Sequence, residues 1–144
     1  MIEQDTIRLL RECDAGVKMG VQSISDVMNR VSAPVLQQRL NESLHAHEKL
    51  GQEIERQLTR FKDEGKEPSR MATAMSRMKT NVMLTFDCTD QRIAGLMTDG
   101  CNMGVKSLNK YLNEYEAADE FSKDITKRLI NLEEKLIVQL RDFL

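Results

Sequence analysis

The sequence predicts an all-α protein: an antiparallel four-helix bundle of two helical hairpins, with an additional helix in the long connection between them. Three observations carry this. Apolar residues recur at steps of three and four along most of the chain, the spacing that gathers one face of an α-helix. Only 7 Gly and 2 Pro interrupt 144 residues, too little punctuation for a fold of many short strands. Two short breaks and one long one separate the periodic segments, and short connections make antiparallel neighbours. The length suits a single domain over 1–144 with a core of its own.

The first helix is expected over 2–30, with Ile7, Leu10, Cys13 or Asp14, Val17, Val21, Ile24 and Met28 on its inner face. Ser32 reads as the N-cap of the next helix and Pro34 falls in its first turn, where a missing N–H costs nothing. That helix should run to about residue 62 on a stripe of Leu40, Leu44, His47, Gly51, Ile54, Leu58 and Phe61. Gly65 is expected as the residue that ends it, with Pro68 just beyond. Ser69 opens a shorter helix over 69–86 within the crossover, and Met71, Met75 and Met78 on one face of it read as core. Asp87 and Thr89 compete to start the third bundle helix, which reaches about residue 115. Asp119 or Ser122 starts the fourth, with Ile125, Leu129, Leu132, Leu136, Leu140 and Phe143 as its stripe.

The two hairpins read as copies. Cys13-Asp14-Ala15-Gly16-Val17-Lys18 matches Cys101-Asn102-Met103-Gly104-Val105-Lys106, and His47-Glu48-Lys49-Leu50 matches Glu133-Glu134-Lys135-Leu136. Gly16 with Gly20, and Gly100 with Gly104, form GxxxG pairs. Glycine inside a helix costs about 1 kcal/mol relative to alanine, so close approach of the first and third bundle helices is expected to offset it.

Composition excludes several function classes. With 21 basic against 23 acidic residues there is no field to gather phosphate backbones or anionic lipid. No Trp is present and aromatics make up 4%, which leaves little for base stacking. The apolar runs are too short to span a bilayer, and the acidic N-terminus is unlike a secretory signal. Cys13, Cys88 and Cys101 are odd in number and lack CxxC spacing, which suits reduced thiols in the cytoplasm. His45 and His47 are the only histidines, and no catalytic-triad signature or phosphate loop appears.

The layout resembles the ferritin-like superfamily. It is nearest the small bacterial ferritin-like proteins of unknown function linked with stress responses. The resemblance rests on Ser69-Arg70-Met71-Ala72-Thr73-Ala74-Met75 opening the middle helix, and on Cys101-Asn102-Met103-Gly104-Val105 followed by Tyr111. It implies a bundle that holds two iron or manganese ions by a carboxylate from each of two helices and Glu-x-x-His from each of the other two. This chain departs from that pattern. Val17 and Val105 stand where the resemblance places glutamate, and valine offers no oxygen to a hard cation.

What remains supports two readings. Glu42-x-x-His45 has ligand spacing, but His45 lies about 160° around the helix from His47 and should face solvent. His47 lies on the apolar stripe, and its repeat partner is Glu133. The two are placed to meet and satisfy one another, with Asp14, Asn102, Cys13 and Cys101 as candidates to join them. On this reading the protein holds no cofactor and acts through protein surfaces, as a homodimer through helix faces. On the alternative, a site of altered composition uses His47, Glu133, Glu48 and Glu134 to bind iron or manganese, as a metal-binding protein or di-metal oxidase. A third reading, a thiol sensor at Cys13 and Cys101, requires an exposed thiol of low pKa.

Overall fold

The computed structural model describes residues 2–68 and 89–144. Four long helices pack together and, among the described residues, there is no strand. They are α1 (Ile2–Met28), α2 (Pro34–Arg60), α3 (Asp90–Glu114) and α4 (Glu120–Leu140), with a closing 3-10 turn at Arg141–Phe143. The expected helix over 69–86, with its methionine stripe, lies outside the described residues, as do Asp87 and Cys88. No described helix is long and apolar enough to cross a membrane.

The starts of α3 and α4 are capped by their own residues. Thr89 accepts the Arg92 N–H at 3.1 Å and Asp119 accepts the Ser122 N–H at 2.8 Å, each satisfying one of the donors a helix start leaves open. The start of α2 differs from expectation. Ala33, not Ser32, is the N-cap and it has no side-chain acceptor to offer. The turn is held instead by Asp90 at the start of α3, whose two carboxylate oxygens accept the Ser32 and Ala33 N–H groups, each at 2.8 Å. The beginnings of α2 and α3 therefore share one end of the molecule. The beginnings of α1 and α4 are likewise joined, since Ala117 donates to Asp5 and Asp119 donates to Thr6.

The end of α2 also departs from the sequence reading. Lys62, at φ 56°, takes the left-handed position expected for Gly65. The Asp63 N–H returns to Leu58 O and the Lys62 N–H to Thr59 O, the paired bonds of a Schellman motif. Gly65, at φ +88°, serves the next bend. There the chain turns back along α1, and a Cβ on Gly65 would collide with the Asp14 carboxylate. Asp14 accepts from the Lys66 N–H at 2.9 Å and pairs with the Lys18 ammonium at 2.9 Å, while Lys66 Nζ meets Glu12 at 2.5 Å.

All four helices contribute to two apolar clusters. One gathers Ile24, Val27, Leu36, Leu40, Ile93, Met97, Leu136 and Leu140; the other gathers Leu10, Val17, Leu50, Ile54, Leu58, Leu108, Ile125 and Leu129. On α2 the buried row is Leu36, Leu40, Ser43, His47, Leu50, Ile54 and Leu58, while Leu44, Gly51 and Phe61 sit at its edge. Gly51 faces Val17, whose Cγ1 is 3.0 Å from where a Cβ would stand. In chain order His47 comes between the α2 residues of the two clusters, and Glu133 between those of α4.

Candidate functional site

A buried polar pair interrupts the apolar interior. His47 on α2 is 1% exposed and Glu133 on α4 is 8% exposed. His47 Nε2 lies 3.0 Å from Glu133 Oε1, and His47 Nδ1 lies 2.7 Å from the Ser43 carbonyl oxygen one turn earlier in α2. A carbonyl can only accept, so Nδ1 carries a proton. The Nε2–Oε1 contact then holds one further proton between imidazole and carboxylate.

Burial is the largest influence on His47 and opposes its charged form. The hydrogen bond to Glu133, that carboxylate's charge and the Ser43 carbonyl act together in the other direction and outweigh it, so the His47 pKa is raised. Taking two such groups out of water is costly unless each satisfies the other, and here each does. Among the described residues no buried side-chain N or O atom lacks a partner.

Gly20 makes room for the pair, and Gly104 lies in ordinary contact with it. A Cβ on Gly20 of α1 would sit 2.8 Å from His47 Cδ2 and 2.9 Å from Nε2; one on Gly104 of α3 would lie 3.7 Å from Glu133 Cδ. The GxxxG spacing predicts close approach of α1 and α3 to one another. The two helices do touch, but Gly20 and Gly104 face side chains of α2 and α4, Gly16 lies 3.6 Å from Leu129 by the same measure, and Gly100 meets nothing within 4 Å.

Comparison with protein-family models, with curated proteins and with solved structures finds no match to this chain. The site must therefore be read from its own residues.

The structure brings together two of the four candidate metal ligands. His47 and Glu133 meet, whereas Glu48 and Glu134 do not join them: Glu48 is exposed and Glu134 points along the outer side of α4. Each follows its buried neighbour by one residue, which turns it about 100° around the helix. Glu42 and His45 are exposed, as their position on α2 predicts. Asn102 is exposed, and Asp14 is committed to Lys18 and Lys66 rather than to His47. Val17 is buried and Val105 is partly buried.

Cys13 and Cys101 are sealed. Cys13 is 0% exposed, with Sγ 3.2 Å from Thr126 Oγ1. Burial, reinforced by the charges of Glu12 and Asp14 and only partly offset by the Thr126 hydrogen bond, pushes its pKa up to about 12. Cys101 is 3% exposed beside Glu133; burial, then that carboxylate's charge and hydrogen bond, raise it well above the ordinary thiol range. A sensor needs an exposed thiolate, and neither cysteine supplies one in this conformation, which contradicts the third reading.

The donors among the described residues do not fit a pair of hard cations. Both His47 nitrogens are engaged within the chain, and among the described residues no group of three or more His, Cys, Asp or Glu side chains is disposed to hold a metal ion. Sequence reasoning found the His47–Glu133 contact through the repeat. It missed the Ser43 carbonyl, a backbone acceptor with no residue signature, and the clearance provided by Gly20.

Proposed function

We propose that this chain is a ferritin-like antiparallel bundle whose interior has exchanged di-metal chemistry for a closed His–Glu contact, and that it works through its surfaces, as a homodimer, without catalysis. The observation that carries this reading is the 3.0 Å pairing of His47 with Glu133 while Val17 and Val105 stand at positions the family pattern gives to glutamate. A carboxylate committed to an imidazole that is itself tied to Ser43 has little left for a metal. The arrangement of helix ends supports the scaffold. With the starts of α2 and α3 at one end and those of α1 and α4 joined elsewhere, two hairpins linked by a crossover of bundle length account for the contacts.

The test is metal content. Protein purified without added metal, then dialysed against stoichiometric iron(II) or manganese(II), is expected to retain substoichiometric metal that does not depend on His47 or Glu133. Stoichiometric iron or manganese that disappears in His47→Ala and in Glu133→Ala would instead support the altered-ligand metalloprotein.

A further inference from the structure

The outer face of α3 sets an exposed apolar side chain among charges of both signs. Met103 is the most exposed large apolar side chain among the described residues, at 71%. At about 100° per residue, Asp99, Met103, Lys106 and Lys110 fall within about 60° of arc, on the side of α3 away from Ala94, Met97, Cys101 and Leu108. All four are exposed, and none of the three charged groups enters an ion pair among the described residues. Beside Met103 is Gly100, also exposed, with no atom within 4 Å of where its Cβ would stand. Gly16, Gly20, Gly51, Gly65 and Gly104 each have an internal neighbour at that position; Gly100 and Gly95 do not, and of these two Gly100 is the exposed one.

We propose that α3 packs antiparallel against α3 of a second copy, with Met103 at the two-fold axis and its side chain over the hollow left by Gly100. This rests on the homodimer reading above and supplies its interface. In such an isologous pair, residues whose numbers sum to about 206 face one another. Asp99 of one copy then lies opposite Ser107, flanked by Lys106 and, a turn further, Lys110 of the other; the two-fold repeats the contact on the far side of the axis. Acid thus meets base twice, whereas a parallel pairing in register would set Asp99 against Asp99 and lysine against lysine. A face carrying both signs and a single apolar anchor fits neither a phosphate backbone nor an anionic bilayer, which would meet Asp99 as a repulsive group. Charge self-complementarity therefore favours a second copy. One helix face is a small interface, so association should depend on concentration.

Sedimentation across a concentration series tests this. Wild type is expected to move from the 16.5 kDa chain to twice that mass. Asp99→Lys and Met103→Glu should both remain monomeric, and Asp99→Lys combined with Lys106→Asp and Lys110→Asp should dimerise again. In a Cys88→Ser background, Met103→Cys should oxidise to a single disulfide-linked dimer, while Asn131→Cys on the exposed side of α4 should not. Circular dichroism confirms folding, since every substituted site on α3 and α4 is exposed. A wild-type dimer insensitive to these substitutions and unlinked at position 103 overturns the α3 interface and leaves the homodimer reading standing. A wild-type monomer at every concentration overturns both, leaving the closed interior to be judged by metal content.

Discussion

His47 shows how a single side chain can be fixed on every side. Ser43 holds one nitrogen, Glu133 the other, and Gly20 leaves clearance for the ring edge. Alanine is a better helix former than glycine by about 1 kcal/mol, and Gly95→Ala, with nothing within 4 Å of the new methyl, should be stabilising by up to that amount in urea unfolding. Gly20→Ala should do the opposite, destabilising by about 1–3 kcal/mol, because the ring it meets cannot swing away without breaking both of its hydrogen bonds. The pair also makes stability depend on pH. The folded pKa of His47 lies above the ordinary 6.5, so its contribution is complete below about 6.5 and is lost as pH rises through the folded value. Urea unfolding from pH 6 upward should show that decline. His47→Gln combined with Glu133→Gln should flatten it, whatever its effect on absolute stability.

Helix boundaries depend on what lies elsewhere in the fold. Asp90 braces the entry to α2 from the start of α3, so Asp90→Ala should destabilise by about 1 kcal/mol, in the range of a lost cap, although it leaves α2 itself unchanged in sequence. That dependence explains what the sequence could and could not tell. The helices were legible because apolar spacing is local, and Thr89 and Asp119 were each one of two cap candidates, because a cap's acceptor serves an N–H group three residues on. Asp90 was not, since nothing near Ser32 announces a carboxylate 57 or 58 residues away. Lys62 was missed for a different reason. Glycine is the usual left-handed terminator, and Gly65 drew that role although its conformation is used to pass the Asp14 carboxylate. The GxxxG glycines were visible, but the sequence could not say which helix they face. His47 and Glu133 were found because the repeat set them 86 residues apart at matching depth.

At the scale of the whole molecule, the interior is two apolar clusters with a polar contact between their α2 and α4 residues. The clusters supply the cohesion. Truncating Leu40 in one cluster or Ile54 in the other to alanine should each cost about 2–5 kcal/mol in urea unfolding, since both are 0% exposed. The pair adds specificity of register, because sliding α2 against α4 by one turn would strand a carboxylate and an imidazole among leucines. The reading of the protein as a bundle closed to metal turns on that same contact. The ring-nitrogen resonances of His47, followed by NMR through a pH titration and again with one equivalent of manganese(II), test it most directly. A midpoint above 6.5 and signals unbroadened by the paramagnetic ion are the expected result. Loss of the His47 signals at stoichiometric manganese would place the ion beside the ring and contradict the account.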